Sequence, residues 1–268
     1  MPIEIDANES WRIFRIMAEF VEGFETMAQV GKAVTIFGSA RSTPDDPYYQ
    51  AAEQTARLLA QQGFAVITGG GPGIMEAANK GAFEAEGQSI GLNISLPQEQ
   101  EANRYQTISL DFHYFYARKV MFTKYASAFV CFPGGYGTLD EFFETLTLIQ
   151  TLKVEAFPVV LYGPEYWAGL ITWLRNLRPR YLDLEDTDIF KVVDSPEECV
   201  HVIAEGMAMH WWKPADAALI AALGNGTSKS KNPLSGPKAL NTGEGTRYGR
   251  RPRRPDKPHA QPMKKPQQ

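Results

Sequence analysis

Short apolar runs alternate with amphipathic stretches along most of this chain. Ala33-Val34-Thr35-Ile36-Phe37, Phe64 to Thr68, the run ending at Phe132 and Pro158 to Tyr162 are almost wholly apolar, and Ser89 to Ile94 and Ile189 to Val193 are mostly so. Such runs read as strands buried on both faces, and Ile108 to Leu110 reads as a further short one. The stretches between them have helical spacing. They run from Pro47 to about Gln62, from Pro72 or Ile74 to about Glu86, from Phe112 to Ser127, from Leu139 to Thr151, from Glu165 to Leu177 and from Pro196 to about Met209. Local signals agree: Pro47 and Pro196 suit first helical turns, and Gly63 suits a helix stop. Thr138-Leu139-Asp140-Glu141 and Ser195-Pro196-Glu197-Glu198 both have the spacing of a capping box. Strands alternating with helices predict an α/β fold, a Rossmann-like doubly wound parallel sheet with helices on both faces. In such sheets ligands bind beyond the carboxyl ends of the strands. Gly38-Ser39, Gly69 to Gly73 and Pro133 to Thr138 all fall at that rim.

The two ends of the chain read differently from the middle. Residues 1–31 hold a helix from Trp11 to Val30 whose apolar stripe (Trp11, Ile13, Phe14, Ile16, Met17, Phe20, Val21, Phe24, Met27) is too wide for one buried face. It is expected to pack on the body, on a second subunit, or on both. Residues 32–215 form the expected nucleotide-binding domain. Residues 224–268 are rich in Pro, Gly, Lys, Arg and Ser and are expected to be disordered. The formal charge of −4 hides an asymmetry, about +9 from Asn225 onward against about −13 for the remainder. An acidic body argues against a general nucleic-acid-binding domain. Arg250-Arg251-Pro252-Arg253-Arg254 is read as part of a solvated tail, with nucleic-acid contact as the lesser alternative. Two distant cysteines, Cys131 and Cys199, imply no disulfide framework, and Cys131 reads as a packing residue. Neither a signal peptide nor a membrane span is legible, so a soluble cytoplasmic protein is expected.

The candidate chemistry centres on Val130 to Glu141. Glycines between a strand and a helix let a ligand approach the main chain, and a helix start attracts phosphate. A phosphorylated small molecule is the expected ligand. Glu141 stays open between a helix cap and a catalytic carboxylate. Other nucleotide motifs fail on inspection. Gly71-Pro72-Gly73-Ile74-Met75-Glu76 and Gly135-Tyr136-Gly137 to Asp140 each lack the last glycine of a dinucleotide fingerprint. Gly31-Lys32-Ala33 lacks the rest of a P-loop. His113, His201, His210 and His259 stand singly, and no cluster has metal-ligand spacing. No metal or cofactor is expected.

Pro133-Gly134-Gly135-Tyr136-Gly137-Thr138-Leu139-Asp140-Glu141 matches the PGGxGTxxE signature of the LONELY GUY (LOG) family, and Arg118-Lys119 matches its paired Arg-Lys. The chain resembles that family from about Val34 to about Met207, and Val120 to Tyr125 and Leu146 to Thr151 look most like its longer bacterial members. The family was long labelled "lysine decarboxylase-like". A decarboxylase would need a Schiff-base lysine, for which Lys119 is the obvious candidate, but its place beside Arg118 suits anion binding equally well. The resemblance implies hydrolysis of the N-glycosidic bond of nucleoside 5′-monophosphates, such as AMP or cytokinin ribotides, releasing base and ribose 5-phosphate. It implies catalytic roles for Glu141 and Arg118. Gly134, Gly135, Tyr136, Gly137, Thr138, Leu139, Asp140 and Lys119 would bind substrate, with Thr147 further along the same helix. Gly70, Gly71 and Met75 would line ribose and base, and Glu99 matches an acidic family residue loosely. Plant-type members carry His before the Arg-Lys pair where Tyr116-Ala117 stands here, so no base preference carries over. The resemblance also implies at least a homodimer, in keeping with the apolar first helix and Phe112-His113-Tyr114-Phe115-Tyr116. A carrier using the same cradle without hydrolysis is the alternative.

Overall fold

The computed structural model describes residues 7–95, 101–209 and 211–212, with side chains from residue 11 onward. The expected tail and Glu99 lie outside the described residues. The strands are β1 (Ala33–Phe37), β2 (Ala65–Thr68), β3 (Ser89–Ile94), β4 (Ile108–Phe112), β5 (Ala126–Cys131), β6 (Val159–Tyr162) and β7 (Phe190–Val193). They form a sheet in the order β4-β3-β2-β1-β5-β6-β7, every neighbouring pair parallel. After β1 the chain winds outward through β2, β3 and β4. It then returns to place β5 on the other side of β1 and winds away through β6 and β7. The switch point therefore lies between β1 and β5, where open sheets of this kind bind ligands.

The helices are α1 (Ala7–Met27), α2 (Pro47–Gln61), α3 (Ile74–Glu84), α4 (Phe115–Tyr125), α5 (Tyr136–Gln150), α6 (Pro164–Asn176) and α7 (Pro196–Ala208). Alternation along the strands sends side chains to two cores. Phe37, Ile67, Phe129 and Cys131 meet α1, α4, α5 and α6 on one face. Val34, Ile36, Val66 and Val130 meet α2, α3 and α7 on the other. The two buried layers explain why the strands read as largely apolar runs. Among the described residues no helix is long and apolar enough to cross a membrane.

Several boundaries differ from the sequence pattern, each for a local reason. Phe112 closes β4, pairing with Ile94, and Ala126 and Ser127 open β5, so the expected Phe112 to Ser127 helix shrinks to Phe115–Tyr125. The capping box expected at Thr138 is absent. The helix begins earlier, at Tyr136, with Gly135 as its cap residue and no side-chain cap bond. Thr138 thus lies inside the first turn and Glu141 a full turn further on, facing inward. At α7 the Ser195 hydroxyl accepts from Glu198 N–H, but the Glu198 carboxylate accepts from Asp194 N–H, not from Ser195. A capping box forms instead at Asp183 and Asp186, ahead of a 3-10 turn (Leu184–Asp188) that the hydrophobic pattern did not mark.

Candidate functional site

Three glycine-containing loops meet at the switch point. Phe132 N–H donates to Phe37 O at 2.8 Å and Ser39 N–H donates to Pro133 O at 2.9 Å, tying the loop after β1 to the loop after β5. Ile74 N–H donates to Ser39 O at 3.0 Å, tying in the loop after β2. The approach is too close for side chains at two places. A Cβ on Gly134 would strike the Thr138 hydroxyl and the Gly38 backbone. Gly73 has φ of +69°, and a Cβ there would strike the backbone of Ser39 and Ala40. These glycines answer to steric need.

The start of α5 is an open set of donors. Its first intrahelical bond runs from Leu139 N–H to Gly135 O at 3.1 Å, so the N–H groups of the residues before Leu139 have no helical acceptor. Gly135, Tyr136 and Gly137 are exposed, Tyr136 to 93%, while Thr138 is buried. The loop is braced from behind by Tyr166, whose O–H donates to Gly134 O. The loop after β2 is braced as well. Gly70 O accepts from Asn103 N–H at 2.8 Å, Asn103 Nδ2 at 3.0 Å and Gln106 Nε2 at 3.0 Å. Gly71 O accepts from Asn103 Nδ2 at 3.0 Å. Asn79 Oδ1 accepts from the Thr68 hydroxyl and from Asn103, completing a buried network.

Beneath the open donors lies a cluster of charged side chains from α4 and α5. Glu141 is 5% exposed, and its Oε2 is buried with no hydrogen-bond partner among the described residues. Its Oε1 lies 3.5 Å from Lys119 Nζ. Burial pushes the Glu141 carboxyl up to about 7, Lys119 and Arg118 pull it down, and Glu144 and Asp140 push it further up. Arg118 is held by packing: its guanidinium lies 5.1 Å from the Phe122 ring centroid and 5.9 Å from that of Phe115. A Cβ on Gly69 would come within 3.2 Å of Arg118 Nη2 and 2.8 Å of Met75 Sδ, which places Arg118 and Met75 against the loop after β2. Arg118 Nε is buried without a hydrogen-bond partner among the described residues, as is the Thr145 hydroxyl one turn beyond Glu141. Burial lowers the Arg118 pKa while Glu141 opposes that shift, and an arginine stays charged regardless. Buried polar atoms left unpaired in this way are the exception in folded proteins, and a catalytic role or a bound ligand is one explanation for them.

Lys119 is differently placed. Its Nζ lies 2.7 Å from Asp140, 3.0 Å from Glu144 and 3.5 Å from Glu141. Burial works against its charge, but these carboxylates outweigh burial and raise its pKa. A lysine so engaged is a counter-ion, unsuited to Schiff-base formation, which needs the free amine. Leu139 faces the core. Thr147 stands about 13 Å along α5 from Thr138. Its hydroxyl donates to Phe143 O, and it borders a recess lined by Leu146, Gln150, Leu182 and Asp186. No described contact joins Thr147 to the Arg118 and Glu141 cluster. Sequence reasoning missed Asn79, Asn103, Gln106, Glu144, Thr145 and Tyr166. Glu144 alone had a signal, since it stands four residues after Asp140 and three after Glu141, within reach of both along the helix.

The family model described as "Possible lysine decarboxylase" matches residues 75–203. A cytokinin riboside 5′-monophosphate phosphoribohydrolase of Rhodococcoides fascians is 30% identical over 149 residues, which span 54% of this chain and 75% of the relative. The chain belongs to the LONELY GUY family. A LONELY GUY relative from Arabidopsis thaliana, also named a cytokinin riboside 5′-monophosphate phosphoribohydrolase, is 29% identical over 197 residues, 71% of this chain and 82% of the relative. Among solved structures, a molybdenum cofactor binding protein from Rippkaea orientalis is 25% identical with a TM-score of 0.50, covering 65% of this chain and 97% of that one. The LONELY GUY signature residues of this chain fall at the switch point, where the charges of Arg118 and Glu141 act on one another.

Proposed function

We propose that this protein hydrolyses the N-glycosidic bond of nucleoside 5′-monophosphates, releasing the free base and ribose 5-phosphate. The observation that carries the reading is Glu141: a buried carboxyl with an unpaired oxygen, beside Arg118, one turn beneath a helix start with unfilled N–H donors. The open N–H groups of Tyr136, Gly137 and Thr138 bind the 5′-phosphate. Breaking the bond between C1′ and the base nitrogen leaves its electron pair on the base and a cation-like sugar, as in glycoside hydrolysis. The Glu141 carboxylate stabilises that cation and takes a proton from the water that adds to C1′. That proton passes on to the departing base, so Glu141 is ionised again and one water is consumed per bond cleaved. Arg118 supplies positive charge that orients the substrate and balances the ionised Glu141. The named activities of the Rhodococcoides fascians and Arabidopsis thaliana relatives support this chemistry. Turnover of a panel of purine and pyrimidine monophosphates, prenylated AMP included, tests it. No release from any member overturns it.

The pH profile adds a specific check. The mechanism uses ionised Glu141, whose carboxyl titrates near 7. The rate constant kcat/KM is therefore expected to fall about tenfold per pH unit below that point and to level off above it. A limb near 6 alone would belong to the phosphate of the substrate.

The Rippkaea orientalis likeness favours a second reading, a carrier that holds a phosphorylated cofactor without cleaving it. Mass spectrometry of natively purified protein separates the two, since a carrier retains an intact cofactor.

Self-association through α1 belongs to the same proposal. Trp11, Phe14, Met17 and Val21 are each more than half exposed, in a stripe with near-heptad spacing. Arg12 and Arg15 stand with Glu9 in the first half of α1, and Glu22 and Glu25 are exposed in the second. An antiparallel pair of α1 helices sets Arg12 and Arg15 of one copy towards Glu22 and Glu25 of the other. Light scattering at micromolar concentration is expected to give a dimer or larger; a monomer contradicts it.

A further inference from the structure

We infer that Glu19 of α1, outside the region matched by the family model, is a positioning residue for Arg118. The inference rests on the phosphoribohydrolase reading for its kinetic consequences, but not for its structural one. Tyr114 is the cap residue of α4 and offers no side-chain cap bond of its own. Glu19 reaches across from α1 to the two residues that lead into the helix. Its Oε1 accepts from His113 N–H at 2.9 Å and its Oε2 accepts from Tyr114 N–H at 3.2 Å, with His113 Nδ1 also 3.2 Å from Oε1. The Glu19 side chain is largely buried, so these bonds are shielded from competing water. A carboxylate at a helix start also opposes the positive end of the helix dipole.

The link to Arg118 is one hydrogen bond long. Arg118 N–H donates to Tyr114 O at 3.3 Å, so the residue whose N–H is held by Glu19 also receives the backbone of Arg118. The guanidinium itself has an unpaired Nε and rests on ring faces, and its place depends on where the first turn of α4 sits. The rest of α1 presses the same helix. A Cβ on Gly23 would lie 2.8 Å from Met121 Cε, and the Tyr125 O–H donates to Phe24 O at 3.2 Å. Among the described residues, no hydrogen bond joins α1 to the start of α5. Loss of Glu19 therefore disturbs the charge at the reacting centre and spares the phosphate cradle.

The test compares wild type, Glu19→Ala, Glu19→Gln, Arg118→Ala and the Glu19→Ala, Arg118→Ala double variant, using AMP as substrate. Glu19→Ala is expected to lower kcat about tenfold or more with KM within about threefold. Glu19→Gln, which keeps one acceptor oxygen, falls between it and wild type. In the Arg118→Ala background Glu19→Ala changes kcat less than about twofold, because its effect runs through the missing side chain. Hydrogen exchange gives a readout independent of turnover: amides of α4 exchange faster in Glu19→Ala while those of α5 do not. Unchanged kcat in a folded Glu19→Ala, or full multiplication of the two single effects, overturns the inference. If wild type releases no base, the proposed reaction fails separately. The exchange arm still decides the clamp, which a uniform or absent gain in exchange rejects.

Discussion

Glu141→Gln is expected to cut turnover of a nucleoside monophosphate by about 10³-fold or more, and at the same time to raise the melting temperature at pH 8. The two effects have one origin. Glutamine keeps the shape of the side chain but removes the charge that meets the developing sugar cation. It also removes the penalty of an ionised carboxyl in a buried place, a penalty visible in a pKa raised from 4.5 to about 7. For a carboxyl with a raised folded pKa, the folded state holds its proton more tightly than the unfolded chain. The stabilisation is full below about 4.5 and is lost as pH rises through about 7. At pH 8 wild type has lost all of it, and the variant should be more stable by about 1–3 kcal/mol. Near pH 4.5 the difference should vanish. Thermal melts at the two pH values, beside kcat, read both effects. A helix-capping role would predict the reverse, little change in rate, and the geometry excludes that role because α5 begins at Tyr136.

Arg118→Lys is expected to lower kcat/KM by about 10²-fold with the fold intact. Lysine keeps the charge, but it loses the planar fork and stacks less well over the Phe115 and Phe122 rings. The ammonium is also more strongly hydrated than a guanidinium, so it resists this buried place. Lys119 already stands one residue away, bound to Asp140, Glu141 and Glu144, so a second ammonium is a poor substitute for the delocalised cation of Arg118. Steady-state kinetics with a melting curve as control checks the effect. Equal kinetics for the two proteins would show that only charge matters at this position.

The parts of the fold legible in the sequence are those set by local pattern. Ala33–Phe37 and Ser89–Ile94 form strands at the residues the sequence pattern marked, because strands covered on both faces are apolar along most of their length. The three glycine loops were legible too, since steric demand at Gly73 and Gly134 leaves few other residue types. The α5 start was misread because Thr138 and Glu141 have capping-box spacing, while the turn through Pro133 to Gly135 lets the helix begin before them. The boundary between α4 and β5 was misread because Ala126 and Ser127 fit either state. The braces of the site could not be read at all. Asn103 reaches Gly70 across 33 residues of sequence, Tyr166 reaches Gly134 across 32, and Glu19 reaches Tyr114 across 95. Such contacts arise from topology, and no window of sequence contains both partners.

The central claim is that a phosphate cradle and a buried carboxylate act together on one glycosidic bond. Quantifying adenine and ribose 5-phosphate released from AMP, with adenosine as the control substrate, tests that claim most directly. Equal molar amounts of the two products from AMP, with release from adenosine lower by about 10²-fold or more, is the predicted result. AMP recovered intact, or adenosine cleaved as readily as AMP, would contradict it.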